Sequence, residues 1–164
     1  MNEMTKVLVV YHSRSGNTAR MAAAVAEGAK EGGADVVMKK VEEAALEDLT
    51  GADGIVLGAP TYFGTLSAEM KGFIDGSVRV RGRLEDKIGA AFTSSGSPTG
   101  GNETTLLSMI QGMLIHGMVI VGDPLETGGH YGAVAVGAPD ASALIACRKL
   151  GERVARLAKS IASA

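Results

Sequence analysis

One cysteine, no tryptophan and almost no net charge mark this chain of 164 residues by what it lacks. The single Cys147 excludes an internal disulfide and a zinc site built on cysteines. A formal charge of −2, from 16 basic and 18 acidic residues, leaves no basic face for nucleic acid and no acidic tail. No apolar run reaches the length of a membrane span. The first residues, Met1 to Lys6, lead into a short apolar strand without a signal-peptide pattern. The expectation is a soluble, cytoplasmic chain with no membrane insertion. Residues 1–164 should form one domain, long enough to bury a core without staples.

Glycine, by contrast, occurs 23 times. Many glycines follow predicted strands or close predicted helices, so the chain is built around tight loops.

Apolar runs predict parallel strands over residues 5–12, 35–40, 54–59, 88–94 and 118–121. Helical spacing predicts helices over 18–31, 67–75, 104–116 and 140–163, with a weak crossover at 42–49. Ser67 reads as an N-cap and Gly117 as a left-handed stop. A short extended piece, 133–136, precedes the last helix. Alternation of this kind is an α/β doubly wound sheet. With five parallel strands in the order 2-1-3-4-5, ligands bind beyond the carboxyl ends of the strands, between the first and third. The loops to watch are therefore 13–18, 60–67 and 94–101, all rich in serine, threonine and glycine.

The first of these, Ser13-Arg14-Ser15-Gly16-Asn17-Thr18, joins a strand to a helix N-terminus and offers hydroxyls and amides to a phosphate. It lacks the lysine of a P-loop and the three glycines of a dinucleotide fingerprint. Acidic residues for phosphoryl acceptance and a Gly-x-Ser-x-Gly elbow are missing too. What remains suits a monophosphate such as that of FMN. The competing reading is a solvated helix cap made by Asn17 or Thr18.

The motif Ser-x-Ser-Gly-Asn-Thr resembles the flavodoxin-type FMN phosphate loop. Further along stand Gly58-Ala59-Pro60-Thr61-Tyr62-Phe63-Gly64 and Met70-Lys71-Gly72-Phe73-Ile74-Asp75. Then come Phe92-Thr93-Ser94-Ser95-Gly96, Gly100-Gly101-Asn102-Glu103, His116-Gly117-Met118-Val119-Ile120-Val121 and Tyr131-Gly132-Ala133. In that order they resemble the WrbA-type NAD(P)H:quinone oxidoreductases over nearly the whole chain. The resemblance implies a flavodoxin-like three-layer fold, FMN as cofactor, NAD(P)H and a quinone as substrates, and a homo-oligomer, dimer or tetramer. It implies that Ser13, Arg14, Ser15, Gly16, Asn17 and Thr18 hold the FMN phosphate. Pro60, Thr61, Tyr62, Phe63 and Gly64 would line the isoalloxazine. Ser94, Ser95, Gly96, Ser97, Pro98 and Thr99 would close the ribityl and pyrimidine side. Substrate contacts would come from Tyr62, His116 and Tyr131. No side chain is needed as catalytic acid or base, because the flavin carries the chemistry. A flavodoxin-like electron carrier is the alternative, although such carriers tend to be more acidic than this chain. The chain is shorter than the family after the second and fifth strands, and it has no tryptophan in 76–85.

Several residues have plainer readings. Arg14 reads as a contact to the FMN phosphate or to an incoming NADPH phosphate, or as a solvated loop charge. Tyr62 and Phe63 fit a ligand wall or core packing. His116 ends a helix at the rim opposite the flavin loops, so it serves a neighbouring subunit's flavin or caps its own helix. Arg79, Arg81 and Arg83 read as a solvated loop before they read as a guide for NAD(P)H. Cys147 lies on an apolar helical stripe and reads as core. His12 and His130 have no partners at metal-ligand spacing, so no metal is assigned.

Overall fold

Residues 4–164 are described by a computed structural model, and Met1 to Glu3 of the N-terminal reading lie outside them. The elements follow as β1 (Lys6–Tyr11), α1 (Asn17–Glu31), β2 (Asp35–Lys40), α2 (Leu46–Gly51), β3 (Gly54–Pro60) and α3 (Ala68–Gly76). After a helical turn at Ser77–Val80 come β4 (Ile88–Ser95), α4 (Asn102–Ile115), β5 (Val119–Ile120), β6 (Ala133–Val136) and α5 (Ala141–Ala162). Every pairing is parallel, and the order is β2-β1-β3-β4-β5.

The fifth position departs from the expectation of one strand. β5 pairs only with Ile88 and Gly89 at the start of β4, while β6 pairs with residues 92–95 at its end. Since β3 occupies the other edge of β4 from Ile88 to Ser94, β5 and β6 share one edge, end to end. Between them the chain leaves the sheet as a loop, 121–132. Arg153 of α5 seats that loop by donating to the carbonyls of Gly122 and Asp123.

Side-chain alternation builds two cores, one on each face. Val7, Val9 and Tyr11 of β1 face α1 and α5, while Leu8 and Val10 face the layer of α2, α3 and α4. Helices α1 and α5 touch backbone to backbone: a Cβ on Gly151 would lie 2.0 Å from the Val25 carbonyl oxygen. Gly28 has the same relation to the Arg148 carbonyl oxygen, at 1.8 Å. Glycine is used here for proximity, not for turning.

Most helix ends sit within two residues of their expected places. Ser67 accepts the Met70 N–H as the cap of α3, and Gly117 follows α4 with φ 78°. The crossover is the exception, with α2 at 46–51 instead of 42–49. Its start is fixed by the Asp48 carboxylate, which accepts the Ala45 N–H at 2.8 Å and pairs with Lys39. Among the described residues, no helix is long and apolar enough to cross a membrane.

Candidate functional site

Beyond the carboxyl ends of β1, β3 and β4, three loops are tied to one another by hydroxyls. The first begins with a left-handed Gly16, φ 95°, as the cap of α1. Glycine has no side chain to cap with, so the reading of Asn17 or Thr18 as a capping residue is wrong. Ser13 compensates in part: its Oγ accepts the N–H groups of Gly16 at 3.2 Å and Ala19 at 3.1 Å. The amides of Asn17 and Thr18, like the first amides of any helix, have no intrahelical acceptor. They stand at the positive end of α1, and a Cβ on Gly16 would meet nothing within 4 Å, so the space before them is open. Arg14 and Ser15 are exposed, and Asn17 is half-buried.

Thr18 is buried. Its hydroxyl lies 2.8 Å from the Ser94 hydroxyl, joining the first loop to the third. The second loop joins there as well: the Thr61 N–H donates to the Ser94 carbonyl at 2.8 Å, and the Thr61 and Thr93 hydroxyls lie 2.9 Å apart. Thr93 in turn donates to the Ala59 carbonyl at 2.7 Å.

Past Pro60 the second loop forms a tight reverse turn, in which Tyr62 and Thr65 exchange backbone hydrogen bonds of 2.9 and 3.1 Å. Phe63 (φ 49°) and Gly64 (φ 79°) are its central residues. Two positive φ angles are the mark of a type I′ turn, a geometry suited to Asn-Gly and strained for phenylalanine. The Phe63 ring is wholly exposed. Neither aromatic residue is core: Tyr62 is half-buried and stands edge-on to the His12 ring, with centroids 6.4 Å apart. Thr104 of α4 donates to the Gly64 carbonyl and braces the turn from behind.

The third loop is open. Ser94 is buried and Ser95 half-buried, whereas Gly96, Ser97, Pro98 and Thr99 are exposed. The loop is folded on itself, Ser95 Oγ donating to the Ser97 carbonyl and the Gly100 N–H to the same oxygen.

His116 stands apart. As the residue closing α4 it lies at the opposite rim, about 20 Å away along the strands. Its Nε2 meets the Ser77 hydroxyl at 2.7 Å, and its buried Nδ1 has no partner. Burial, and then the Arg81 guanidinium, lower its pKa from the ordinary 6.5. Tyr131, half-exposed, stands near the end of the 121–132 loop and lines a cleft with Asn102 and His130. Cys147 is fully buried in the core, and burial followed by the Asp123 carboxylate pushes its thiol up to about 12. No group of His, Cys, Asp and Glu among the described residues forms a metal cluster.

Sequence reasoning missed several participants. His12, without metal-ligand partners in the sequence, is buried under the second loop, where its Nδ1 meets the Ser67 hydroxyl at 2.9 Å. Thr93 and Thr104 act as braces. A cleft of about 830 Å³ lies on the far side of α4, lined by Asn102, Asp123, His130, Tyr131 and β6. It is distinct from the tied loops, which form an open rim. Tyr131, expected as a substrate contact, lines the cleft, as does Asn102, which follows the 94–101 loop.

Similarity to known proteins agrees with this geometry. The family described as NADPH-dependent FMN reductase matches residues 37–130. A protein from Archaeoglobus fulgidus named NAD(P)H dehydrogenase (quinone) is 40% identical over 190 aligned positions, covering 96% of this chain and all of the relative. Those 190 positions exceed the 164 residues here, so that relative carries insertions which this chain omits. A protein from Aquifex aeolicus named flavodoxin is 42% identical over 159 positions, covering 93% of this chain and 86% of the relative. Among solved structures, a WrbA-like flavodoxin from Agrobacterium tumefaciens superposes with a TM-score of 0.84 at 32% identity, over 95% of this chain and 98% of that one.

Proposed function

The chain belongs to the NADPH-dependent FMN reductase family, alongside proteins named NAD(P)H dehydrogenase (quinone), and on that premise we propose that it is an FMN-dependent oxidoreductase passing two electrons from NAD(P)H to a quinone. Residues 1–164 act as one FMN-binding domain. FMN, when bound, supplies the redox chemistry; the remaining tasks fall to the chain.

The observation that carries this reading is the tying of three loops at the switch point by Thr18–Ser94 and Thr61–Thr93. The residues fit the group. The free amides of Asn17 and Thr18, with the Ser15 hydroxyl, receive a phosphate, and Ser13 holds the loop in shape. Arg14 is free to pair with the same anion. Pro60, Thr61, Tyr62, Phe63 and Gly64 form a wall for a flat ring system, its exposed Phe63 tip offering apolar area at low entropic cost. The third loop, Ser94 to Thr99, closes the opposite side with hydroxyls and amides.

His116 contributes to catalysis only through a second copy, because its own site lies a sheet-length away. The exposed apolar residues beside it, Val78, Leu114 and Ile115, support a homo-oligomeric assembly. A supply of reduced nicotinamide makes the cytoplasm the natural compartment.

Reduced-nicotinamide oxidation by the flavin-loaded protein, with and without benzoquinone, tests the reading. Quinone-dependent turnover is expected, and its absence from fully loaded protein would sink the enzyme. A second reading, an electron carrier between proteins, is favoured by the flavodoxin relative, which aligns with few insertions. A stable one-electron state in a redox titration, combined with no turnover, would select it. A charge of −2 offers such a carrier little electrostatic steering.

A further inference from the structure

The 121–132 loop is closed around a carboxylate that the reading above does not use. Asp123 is only 2% exposed. Its Oδ1 accepts the His130 backbone N–H at 2.9 Å, and its Oδ2 accepts the Thr127 hydroxyl at 2.9 Å. The same Oδ2 lies 3.2 Å from Nδ1 of the His130 ring. A buried carboxylate is a costly way to close a loop, but it fixes what a neutral group would leave free. The carboxylate selects the tautomer with the proton on Nδ1, which makes Nε2, on the far side of the ring, an acceptor. Gly128 clears a place for the ring, since a Cβ there would come within 2.0 Å of its Cε1. The His130 side chain is nevertheless 64% exposed. It is held, yet presented.

The ring borders the cleft of about 830 Å³ between this loop, β6 and the first turns of α4 and α5. Leu106, Ala133, Ala135 and Ala143 give that cleft apolar walls. Asn102 borders it too. This residue is 4% exposed, and its Oδ1 is buried without a hydrogen-bond partner. That oxygen is shut off from the cleft, so the Asn102 side chain contributes shape to the wall and no contact to a ligand. Glu103 and Asp140 stand among the lining residues with no lysine or arginine, so an anion is repelled. One presented acceptor, apolar walls and acidic neighbours together specify the occupant.

We infer that this cleft binds a neutral, flat ring bearing hydroxyl groups, a phenol or hydroquinone, one hydroxyl of which donates to His130 Nε2. The volume falls within the ordinary range for small-molecule sites and leaves room for ring substituents. Asp123 acts as a positioning residue, through the ring it orients. The identification of the hydroquinone as the molecule at hand rests on the reading above, in which it is the product of quinone reduction. The His130 acceptor itself is independent of that reading.

The test is a titration of the flavin-loaded full chain, labelled in its histidine rings, with 1,4-dihydroxybenzene held reduced by ascorbate. A saturable shift of the His130 ring signals is expected, with His12 and His116 unmoved. Binding should weaken about tenfold in His130→Ala, with folding of the variant checked by thermal melt. The ring without donors, 1,4-dimethoxybenzene, should give no saturable shift. A silent His130, equal binding of the dimethoxy compound, or unchanged affinity in His130→Ala overturns the inference. Turnover with benzoquinone is measured on the same preparations. Turnover with a silent His130 removes the cleft and leaves the enzyme standing, whereas a His130 shift without turnover keeps the cleft and removes the enzyme.

Discussion

Thr18 and Ser94, 76 positions apart in sequence, hold each other by side-chain hydroxyls 2.8 Å apart in a buried contact. One belongs to the first turn of α1 and the other to the end of β4. Their contact fixes the distance between the 13–18 loop, proposed to hold the phosphate, and the 94–99 loop, proposed to close the ribityl side.

Thr18→Val keeps the shape but leaves the Ser94 hydroxyl without this partner. The expected cost is about 1–2 kcal/mol of stability, with FMN affinity weakened about tenfold as the two loops separate. Thermal unfolding and quenching of FMN fluorescence measure the two effects. Unchanged FMN affinity would show that the loops are spaced by something else.

Phe63 is held at φ 49° with its ring in solvent, so its side chain adds little to folding. Left-handed backbone is unfavourable for a non-glycine residue by roughly 1–2 kcal/mol, and glycine's greater unfolded-state entropy offsets part of the relief. Phe63→Gly is therefore expected to unfold within about 1 kcal/mol of the parent, while kcat/KM for the quinone falls about tenfold, or about 1.4 kcal/mol. A large drop in Tm instead would mean that the ring packs against the protein.

The α1–α5 seat has no tolerance for added volume. Gly151→Ala brings a methyl into the Val25 carbonyl, and moving the helices apart is expected to destabilise by about 1–3 kcal/mol. Denaturant unfolding reads this directly. The change lies far from the loops, so FMN affinity of the folded fraction should hold.

His116 makes stability depend on pH. Its pKa in the folded chain lies below the ordinary 6.5, by burial first and Arg81 second. The unfolded state therefore binds the proton more readily, and stability rises with pH through that window. The contribution is fully present above 6.5 and is lost as the pH falls through the lowered value. His116→Gln should flatten this part of the curve in denaturant melts taken from pH 7.5 downward. An unaltered slope would assign the dependence to another group.

Much of this molecule is legible from its sequence. Continuous apolar strands and helical stripes determine the elements and their α/β alternation, because periodicity is a local property. The strand order follows from the doubly wound class, and the missing lysine and glycines of the 13–18 loop narrow its expected ligand to a monophosphate. The caps at Ser67 and Gly117 are local in the same way, and both stand where expected. Contacts between distant segments are what only the tertiary structure decided. The division of the fifth strand depends on a loop anchored by Arg153 from another helix. The hydroxyl ties from Thr18 to Ser94 and from Thr61 to Thr93, the packing of His12 beneath Tyr62, and the Asp123–His130 pair all join residues whose spacing carries no motif. A serine's type reveals that it can donate and accept; only the packing of two cores against one twisted sheet decides which hydroxyl it meets.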